Sequence, residues 1–486
     1  MTEVLIAGAG PAGLLLAVEL RHAGVTTVLV ERQPRRPEFC RAFTLNARAL
    51  DLLARRGLAE PLIAEGWPVP HAASSGLPVT LGLAGTHTDH PYTLGIPQTR
   101  VEEVLEEHAR ELGADIRRGH DLRTLEQDDE GVTATVATGD GEYRLRAAYL
   151  AGCDGGRSTV RKQAGIDFPG TPSTRFWLLG DVELADPAAL PFGPTAGPGG
   201  TVIVIPRDGY VRVLVEDHGD TPVTLERLQS VVDGALGRHV ELRAARWVTR
   251  FGNAARQATD YVRGRVVLAG DAAHIHPPAG AIGVNAAIDD AFNLGWKLAA
   301  TLRDPSTGLL ASYHAERHRA GAHLLANTRA QVLFGDADER LGPLIDLFTR
   351  VAAHPYGNRA LTEVLTGLDT RYDTVPETGH PWLGRLVPNL ALTTADGPTD
   401  LVTLQRTGRW LLLDLSPAGD LAGEGVDVVH AACPEHPGLR AVLLRPDGHA
   451  AWIGTTGDPD PDGLRRALRH RLGPLASAGT SEKVRR

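Results

Sequence analysis

The stretch GDAAHIHPPAGAIGVNAAIDD, from residue 270 to residue 290, concentrates side chains that could bind a ligand. His274 and His276 stand one residue apart, and carboxylates flank them, which is typical of a metal site. However, alternate residues on extended backbone point in opposite directions, so the two imidazoles would not meet at one ion. We therefore predict no metal, and expect both histidines to pack or hydrogen-bond around the loop. The flanking acids are Asp271, Asp289 and Asp290.

The elements around this stretch indicate a second kind of site. A short apolar strand, 266–269, precedes it, and apolar residues at helical spacing follow from Val284 onward. Prolines and glycines fix the path of the loop between them. The loop ends at a helix N-terminus, where backbone N–H groups and the helix dipole stabilise an anionic group.

A glycine turn near the N-terminus predicts a dinucleotide site. Gly8-x-Gly10-x-x-Gly13 lies between an apolar strand and a helix, and a second strand ends at Glu31. Gly8 permits the tight turn, Gly10 lets a pyrophosphate approach the backbone, and Gly13 lets helix and strand pack closely. Glu31 is placed to accept ribose hydroxyls, which disfavours a 2′-phosphate. The motif alone leaves both FAD and NAD open.

A third strand–turn–helix segment spans residues 147–165. The turn is Asp154-Gly155-Gly156, and Ser158 can cap the helix that follows. Arg157 and Arg161 are four residues apart and could share a helical face. One interpretation is a capped helix with solvated arginines. The other, which we favour, is a second loop facing a nucleotide.

The composition limits the classes of function. The chain has 486 residues, 42% of them apolar, which suits two or three domains with a large core. Its net charge of −9 argues against nucleic acid as a partner. The three cysteines, Cys40, Cys153 and Cys433, are scattered and include no C-x-x-C pair. No apolar run approaches a membrane span and the N-terminus is not a signal peptide, so we expect a cytoplasmic protein.

The three motifs, in their order along the chain, resemble those of the class A flavin-dependent monooxygenases of the para-hydroxybenzoate hydroxylase fold. In that family the first motif binds FAD, the segment at Asp154 is the DG motif, and Gly270-Asp271 is the GD motif, whose aspartate holds the ribityl chain. The resemblance also places Arg41 and Arg48 beside the flavin. The cofactor-binding residues that it implies are Gly8, Gly10, Pro11, Ala12, Gly13, Glu31, Arg32, Arg41, Gln98, Leu122, Asp154, Gly155, Arg157, Gly270, Asp271, Gly283, Val284 and Asn285.

The resemblance implies non-covalent FAD, NADPH or NADH as a transient reductant, and molecular oxygen as co-substrate. A flavin C4a-hydroperoxide would pass one oxygen atom to a polycyclic aromatic polyketide, most simply by aromatic hydroxylation in antibiotic biosynthesis. Arg41 would position flavin or substrate. The loop and helix start beside the flavin ring would comprise Pro278, Gly280, Gly283 and Asn285. The sequence departs from the family here, because Ala281-Ile282 replaces a Gly-Gln pair.

Three other functions stay open. A Baeyer–Villiger monooxygenase would use the same scaffold and the same motifs. A flavin halogenase would carry G-W-x-W-x-I-P, but Gly66-Trp67 continues as PVP. A non-enzymatic role would leave the flavin structural or absent, which an intact GD motif argues against.

The predicted fold class is α/β, or α+β overall, with three domains. A Rossmann-like FAD domain comprises 1–70, 98–167 and 259–375, and 71–97 with 168–258 form an inserted β-sheet domain for substrate. Trp177, Phe192 and Tyr210 are candidate lining residues there. RPDGHAAWI, residues 445–453, resembles part of the thioredoxin-like C-terminal domain of aromatic polyketide hydroxylases, which predicts such a domain over 380–486. Without C-x-x-C it would be redox-inert, with a packing role or a role in a possible homodimer.

Overall fold

The N-terminal part of the computed structural model alternates strands and helices as the glycine turn predicts. The model describes residues 2–74, 77–219, 221–334, 339–373, 379–419 and 421–470. Up to residue 168 the elements are β1 (Thr2–Ala7), α1 (Pro11–His22), β2 (Thr27–Glu31), β3 (Thr44–Leu45), α2 (Ala47–Ala54), α3 (Ala59–Glu65), β4 (Trp67–Val69), β5 (Thr93–Gly95), α4 (Gln98–Glu111), β6 (Asp115–Arg118), β7 (Asp121–Gln127), β8 (Val132–Thr138), β9 (Gly141–Gly152) and α5 (Thr159–Gln163).

A second compact unit, formed by residues 169–256 and 276–278, contains an antiparallel sheet. Its elements are β10 (Gly170–Thr171), β11 (Phe176–Leu184), β12 (Gly193–Gly197), β13 (Gly200–Arg207), β14 (Tyr210–Glu216), α6 (Leu225–Leu236), β15 (Leu242–Gly252) and the first two residues of β16 (Ala255–Gln257). The strand order is β12-β13-β14-β11-β15, and the apolar face of α6 packs on this sheet. Trp177 stacks on Phe251, whereas Phe192 is exposed and Tyr210 lies under the Arg246 guanidinium.

The segment after the second unit completes the main sheet and adds long helices. It contains β17 (Val262–Arg263), β18 (Val266–Leu268), β19 (His274–Ile275), α7 (Gly283–Arg303), α8 (Leu309–Phe334), α9 (Gly342–Ala353) and α10 (Pro355–Thr366). The main sheet has the order β17-β18-β9-β1-β2-β6, with β18, β9, β1, β2 and β6 parallel. Buried runs such as VLIA in β1 suit strands that are covered on both faces. The predicted α/β fold class is confirmed.

Residues beyond 379 form a smaller mixed sheet with its own apolar cores. The elements of this region are β20 (Ala391–Thr394), β21 (Gly397–Asp400), α11 (Leu401–Leu404), β22 (Leu411–Asp414), β23 (Asp427–His430), β24 (Leu439–Leu444), β25 (Ala450–Thr455) and α12 (Pro461–His470). β20 and β21 form a separate two-stranded sheet, and the other four strands form the mixed sheet. The order is β23-β22-β24-β25, with only the β22–β23 pair parallel among these described strands. The thioredoxin-like assignment stays a prediction, and its residues 471–486 lie outside the described part of the chain.

The two compact units do not follow the predicted domain boundaries everywhere. The first unit comprises the described residues within 1–168, 257–275 and 279–486. It includes the described residues of 71–97, a range that the sequence places in the substrate domain. The reason is pairing and packing: β5 pairs with both β3 and β4, and Ala72 and Leu81 share a small core with Ala352 and Leu365. Residues 374 and 375, the end of the predicted FAD-domain range, lie outside the described residues.

Candidate functional site

The turn after β1 has the geometry that each of its glycines predicts. Gly8 has a φ of +105°, and a Cβ there would lie 2.4 Å from the Cys153 carbonyl oxygen. A Cβ on Gly13 would lie 2.0 Å from the Gly8 carbonyl oxygen. Both positions therefore require glycine for close packing of α1 against β1 and β9. In contrast, among the described residues no heavy atom lies within 4 Å of a Cβ built on Gly10.

The open space at Gly10 lies at the N-terminus of a 12-residue helix. Gly10 is the N-cap of α1 and has no side chain to cap it, and Pro11 and Ala12 open the first turn. The first backbone N–H groups of a helix lack intrahelical partners and carry partial positive charge. An uncapped helix start beside open space is suited to a pyrophosphate. The residues present thus fit the phosphates of FAD.

Glu31 lies where the sequence predicts it, at the end of β2 and next to the glycine turn. Its Oε2 accepts a hydrogen bond from the Ala9 N–H at 2.9 Å, and its Oε1 accepts one from the Gln33 N–H at 2.8 Å. The carboxylate therefore holds the turn in shape, and retains acceptor capacity for ribose hydroxyls. Arg32, the next residue, is exposed.

The DG segment combines structural and open positions. Ser158 caps α5 by accepting from the Arg161 N–H, as predicted. Asp154 accepts hydrogen bonds from the Ser158 hydroxyl and from two amides of the same helix start, so much of its carboxylate is occupied by capping. Among the described residues, no atom lies within 4 Å of a Cβ on Gly155 (φ +81°), and Arg157 is exposed. Gly155 and Arg157 are the members of this segment that can meet a ligand.

Arg161 has a different role from the one that the nucleotide-facing interpretation gives it. Its side chain is buried and donates to the carbonyl oxygens of Ala272 at 2.9 Å and Gly156 at 3.0 Å. The guanidinium also lies 3.7 Å from the ring centroid of Phe168. Arg161 therefore ties the DG segment to the GD segment, and it is not one of the solvated arginines of the capped-helix interpretation.

The GD turn meets both the first helix and α7. Gly270 follows β18 with a φ of +61°, and a Cβ there would lie 3.1 Å from the Ala12 Cβ and 3.5 Å from the Ala287 Cβ. Its N–H donates to the Asp290 Oδ2 at 2.9 Å. The neighbouring Asp271 is exposed. The glycine turn, the GD turn and the first turns of α7 thus converge in the first unit.

The loop before α7 has unusual backbone. Gly280 and Ala281 have φ values of +71° and +52°, and a Cβ on Gly280 would lie 2.8 Å from the Gln331 amide. Left-handed backbone is unfavourable for alanine. Ile282, where the family has a polar residue, is buried at 7% exposure. Pro278, in the second unit, is exposed.

Helix α7 begins at Gly283, as predicted, and its first turn is held from two sides. Asn285 accepts a hydrogen bond from the Asn46 N–H at 2.8 Å and donates to the Ala281 carbonyl oxygen at 3.0 Å. Val284 is buried beside it. The side chain of Asn285 is thus fixed between α2 and the loop.

The histidines of this stretch do not form a metal site in the described structure. His274 is buried, and its Nε2 donates to the Asp290 Oδ2 at 2.8 Å. Within the described residues, no group of three or more His, Cys, Asp or Glu side chains is arranged to hold a metal ion. Burial would raise the pKa of Asp290, but Arg317 and His274 outweigh it and lower the pKa to about 2. Asp290 is therefore a structural anion.

The remaining predicted site residues lie in three settings. Arg41 is exposed, 5.9 Å from the Phe39 ring centroid, and can reach a ligand. Arg48 is buried and bound to Asp289, and its place beside the flavin stays a prediction. Gln98 begins α4 and donates to Glu102 at 2.7 Å. The side chain of Leu122 packs in the core of the first unit.

Comparison with known proteins agrees with this geometry. The FAD binding domain family model matches residues 1–328, and the model for the C-terminal region of aromatic-ring hydroxylases matches residues 380–474. A 12-dehydrotetracycline 5-monooxygenase/anhydrotetracycline 6-monooxygenase from Streptomyces rimosus is 40% identical over 98% of this chain and 99% of its own length.

Solved structures give the same assignment. The anhydrotetracycline hydroxylase OxyS from Streptomyces rimosus superposes with a TM-score of 0.91 at 41% identity, covering 98% of this chain and 99% of that one. Aklavinone-11 hydroxylase, solved as a ternary complex with FAD and aklavinone, has a TM-score of 0.77 at 28% identity, covering 97% of this chain and 99% of that one. FAD as the cofactor and the enzyme class are confirmed. The chain therefore belongs to the FAD-binding aromatic-ring hydroxylases, the flavin-dependent monooxygenases of the para-hydroxybenzoate hydroxylase fold.

Proposed function

We propose that this monooxygenase hydroxylates a polycyclic aromatic polyketide, with NADPH or NADH as the reductant. The observation that carries the proposal is the convergence of the glycine turn, the GD turn and the start of α7 around Gly270 in a chain of this family. The relatives support the substrate class, because their names specify anhydrotetracycline and aklavinone. When bound, FAD takes electrons from the nicotinamide and supplies one activated oxygen atom from O2.

The residues of this chain have separate tasks in that reaction. Gly10 and the amides that follow it bind the pyrophosphate, and Glu31 and Asp271 bind sugar hydroxyls. The start of α7 at Gly283 directs its positive end at developing negative charge. Buried Ile282 removes a polar side chain from the loop, which helps to exclude water from the reacting atoms.

Arg41 is our candidate for positioning flavin or substrate. It is exposed in the segment between β2 and β3, and a guanidinium is suited to binding carboxylate or phosphate groups of a ligand. Arg41→Ala should slow flavin reduction by NAD(P)H and leave FAD bound. The matched control is Arg32→Ala, because Arg32 is an exposed arginine earlier in the same segment, lies next to Glu31 and should affect FAD affinity instead. Equal reduction rates in wild type and Arg41→Ala would contradict the positioning role.

The test of function is coupled turnover with a panel of polycyclic aromatic phenols. We expect NADPH or NADH oxidation and O2 uptake to rise with one compound, whose product gains one oxygen atom and keeps its rings. A product with oxygen inserted into a ring would show Baeyer–Villiger chemistry instead. Binding of FAD without nicotinamide oxidation under any of these conditions would refute the monooxygenase reaction.

The setting of the enzyme is also a proposal. In the described part of the chain, no helix combines the length and apolar character that a membrane span requires. We place the enzyme in the cytoplasm because its reductant is supplied there. The homodimer stays a prediction, which sedimentation equilibrium measures directly.

A further inference from the structure

The loop between β24 and β25 buries polar side chains against the helices of the FAD-binding part. His449, at 1% exposure, lies between Asp447 and Arg48, with its Nδ1 3.1 Å from Asp447 Oδ1 and its Nε2 3.1 Å from Arg48 Nη2. A guanidinium can only donate, so Nε2 must accept. The proton is therefore on Nδ1, which donates to Asp447, and the ring is neutral. The sequence resemblance gave this loop no chemical role.

Arg48 extends the contact from this loop to α7. Its Nε and Nη2 donate to the two carboxylate oxygens of Asp289 at 3.1 and 3.0 Å. A bidentate pair of this kind fixes the plane of both groups. Because His449 accepts from the same Nη2 that binds Asp289, the imidazole determines where that nitrogen lies.

Arg317 continues this series of buried hydrogen bonds to the GD turn. The series consists of His449, Arg48, Asp289, Arg317 and Asp290. Its Nη1 donates to Asp289 Oδ2 at 2.8 Å, and its Nε donates to Asp290 Oδ1 at 2.6 Å. The other oxygen of Asp290 accepts the Gly270 N–H at 2.9 Å. Buried hydrogen bonds thus connect the C-terminal loop with Gly270, whose Cα is adjacent to Ala12 of the dinucleotide helix.

The series is sensitive because two adjacent carboxylates share one arginine. Asp289 and Asp290 repel each other in a buried site, and Arg48 and Arg317 together neutralise them. If Arg48 loses its fixed position, Asp289 draws Arg317 towards itself. The hydrogen bond from Arg317 to Asp290 is then weakened, and Asp290 is held less firmly in the orientation that accepts the Gly270 N–H.

We propose that His449 is a positioning residue of the FAD site, which acts by fixing Arg48 and, through Asp289 and Arg317, the contact between α7 and the Gly270 turn. The role of His449 rests on FAD binding by the family and is independent of the proposed polyketide substrate. It gives the C-terminal region a task in holding the cofactor.

Three variants test the proposal on the purified holoenzyme. His449→Phe keeps a ring beside Tyr372, at 4.6 Å between centroids in the wild type, but its side chain cannot hydrogen-bond to Arg48 or Asp447. His449→Gln retains one donor and one acceptor, as the neutral imidazole does. Trp452→Phe opens a cavity in the C-terminal core without touching the series, and controls for general destabilisation.

The readouts are the FAD dissociation constant, from the recovery of flavin fluorescence on release, and the visible absorption spectrum of the bound flavin. We expect His449→Phe to weaken FAD binding by about 3- to 30-fold and to shift the spectrum. His449→Gln should recover most of the affinity, and Trp452→Phe should keep wild-type affinity despite a lower Tm. Wild-type affinity in His449→Phe would overturn the proposal, as would an equal loss in Trp452→Phe. Neither result depends on turnover of any substrate.

Discussion

Asp290→Asn replaces the anion at the centre of the site with an uncharged group of the same shape. Three donors meet the wild-type carboxylate: the Gly270 N–H, the His274 Nε2 and the Arg317 Nε, at 2.9, 2.8 and 2.6 Å. An amide has one acceptor oxygen, so its NH2 group must face at least one of these donors. In the variant, Arg317 faces one carboxylate, that of Asp289, instead of two.

The expected loss of folding stability follows from the pKa of Asp290 and from the cost of breaking a buried ion pair. The pKa of Asp290 is lowered from 3.8 to about 2 in the folded protein. Complete protonation of this carboxylate would therefore lower the free energy of unfolding by about 2 kcal/mol. Asp290→Asn should lower the free energy of unfolding more than protonation does, because the NH2 group of asparagine also faces an N–H donor. Removing one partner of a buried ion pair costs about 3–5 kcal/mol, and we expect Asp290→Asn to fall in that range. For a chain of 486 residues the Tm should fall by about 3–5 °C.

The assay is thermal unfolding followed by circular dichroism, together with the FAD content of the purified variant. Asp373→Asn is the matched control, because Asp373 pairs with Arg319 but its side chain is 88% exposed. Such a pair contributes at most about 1 kcal/mol. We expect the control to retain its Tm and its FAD, and Asp290→Asn to lose both in part. A change in Tm for Asp290→Asn no larger than the control's would refute the reasoning.

Three further predictions concern single features of the fold. Ala281→Gly relieves a φ of +52° and should raise the free energy of unfolding, measured in urea, by about 0.5–1 kcal/mol. Its control, Ala286→Gly within α7, should lower that free energy by about 1 kcal/mol. A change of the same sign in both variants would contradict backbone strain at Ala281. Burial lowers the pKa of His22 from 6.5 to about 4, so the unfolded chain takes up this proton first and stability should fall as the pH drops from 6.5 towards 4. His22→Gln should remove about 1–2 kcal/mol of that dependence, after allowance for solvent screening at a half-buried site, and an unchanged slope would count against it. Burial raises the pKa of the Cys153 thiol, so it should resist maleimide in the native state and react in urea, and mass-spectrometric detection of native labelling would show otherwise.

Local motifs were predictable from the sequence because their geometry is set within a few residues. The turn at Gly8, the cap at Ser158 and the start of α7 at Gly283 all lie where the spacing places them. Each depends on a strand, a turn and a helix that are adjacent in the chain. The family resemblance then supplied the cofactor, which the glycine turn alone left open between FAD and NAD.

The buried polar series could not be predicted, because its partners are far apart in sequence. Arg48 is 241 residues from Asp289 and 401 from His449, and periodicity carries no information at such separations. One signal was present: α7 carries charged residues, including Asp289, Asp290 and Lys297, among apolar residues on all its faces. A helix that is buried all round must pair those charges internally.

The described residues of 71–97 belong to the first compact unit, which the sequence could not indicate for a related reason. Their strand β5 pairs with β3 and β4, which lie earlier in the chain and carry no periodic signal of their own. Strands of two or three residues are too short for alternation to reveal a partner. Assignment to one compact unit or the other was therefore decided by packing on Ala352 and Leu365.

The claim that FAD binds over the open side of Gly10 is tested most directly by Gly10→Val. Gly10 has ordinary backbone angles (φ −83°, ψ −177°), and no described atom would meet a Cβ there, so the variant should fold with the Tm of the wild-type apoprotein. We expect one FAD per chain in a titration of the wild type, and loss of that binding in Gly10→Val, because the side chain fills the approach to the helix N-terminus. A Gly10→Val protein that binds FAD with wild-type affinity would show that FAD does not bind over Gly10.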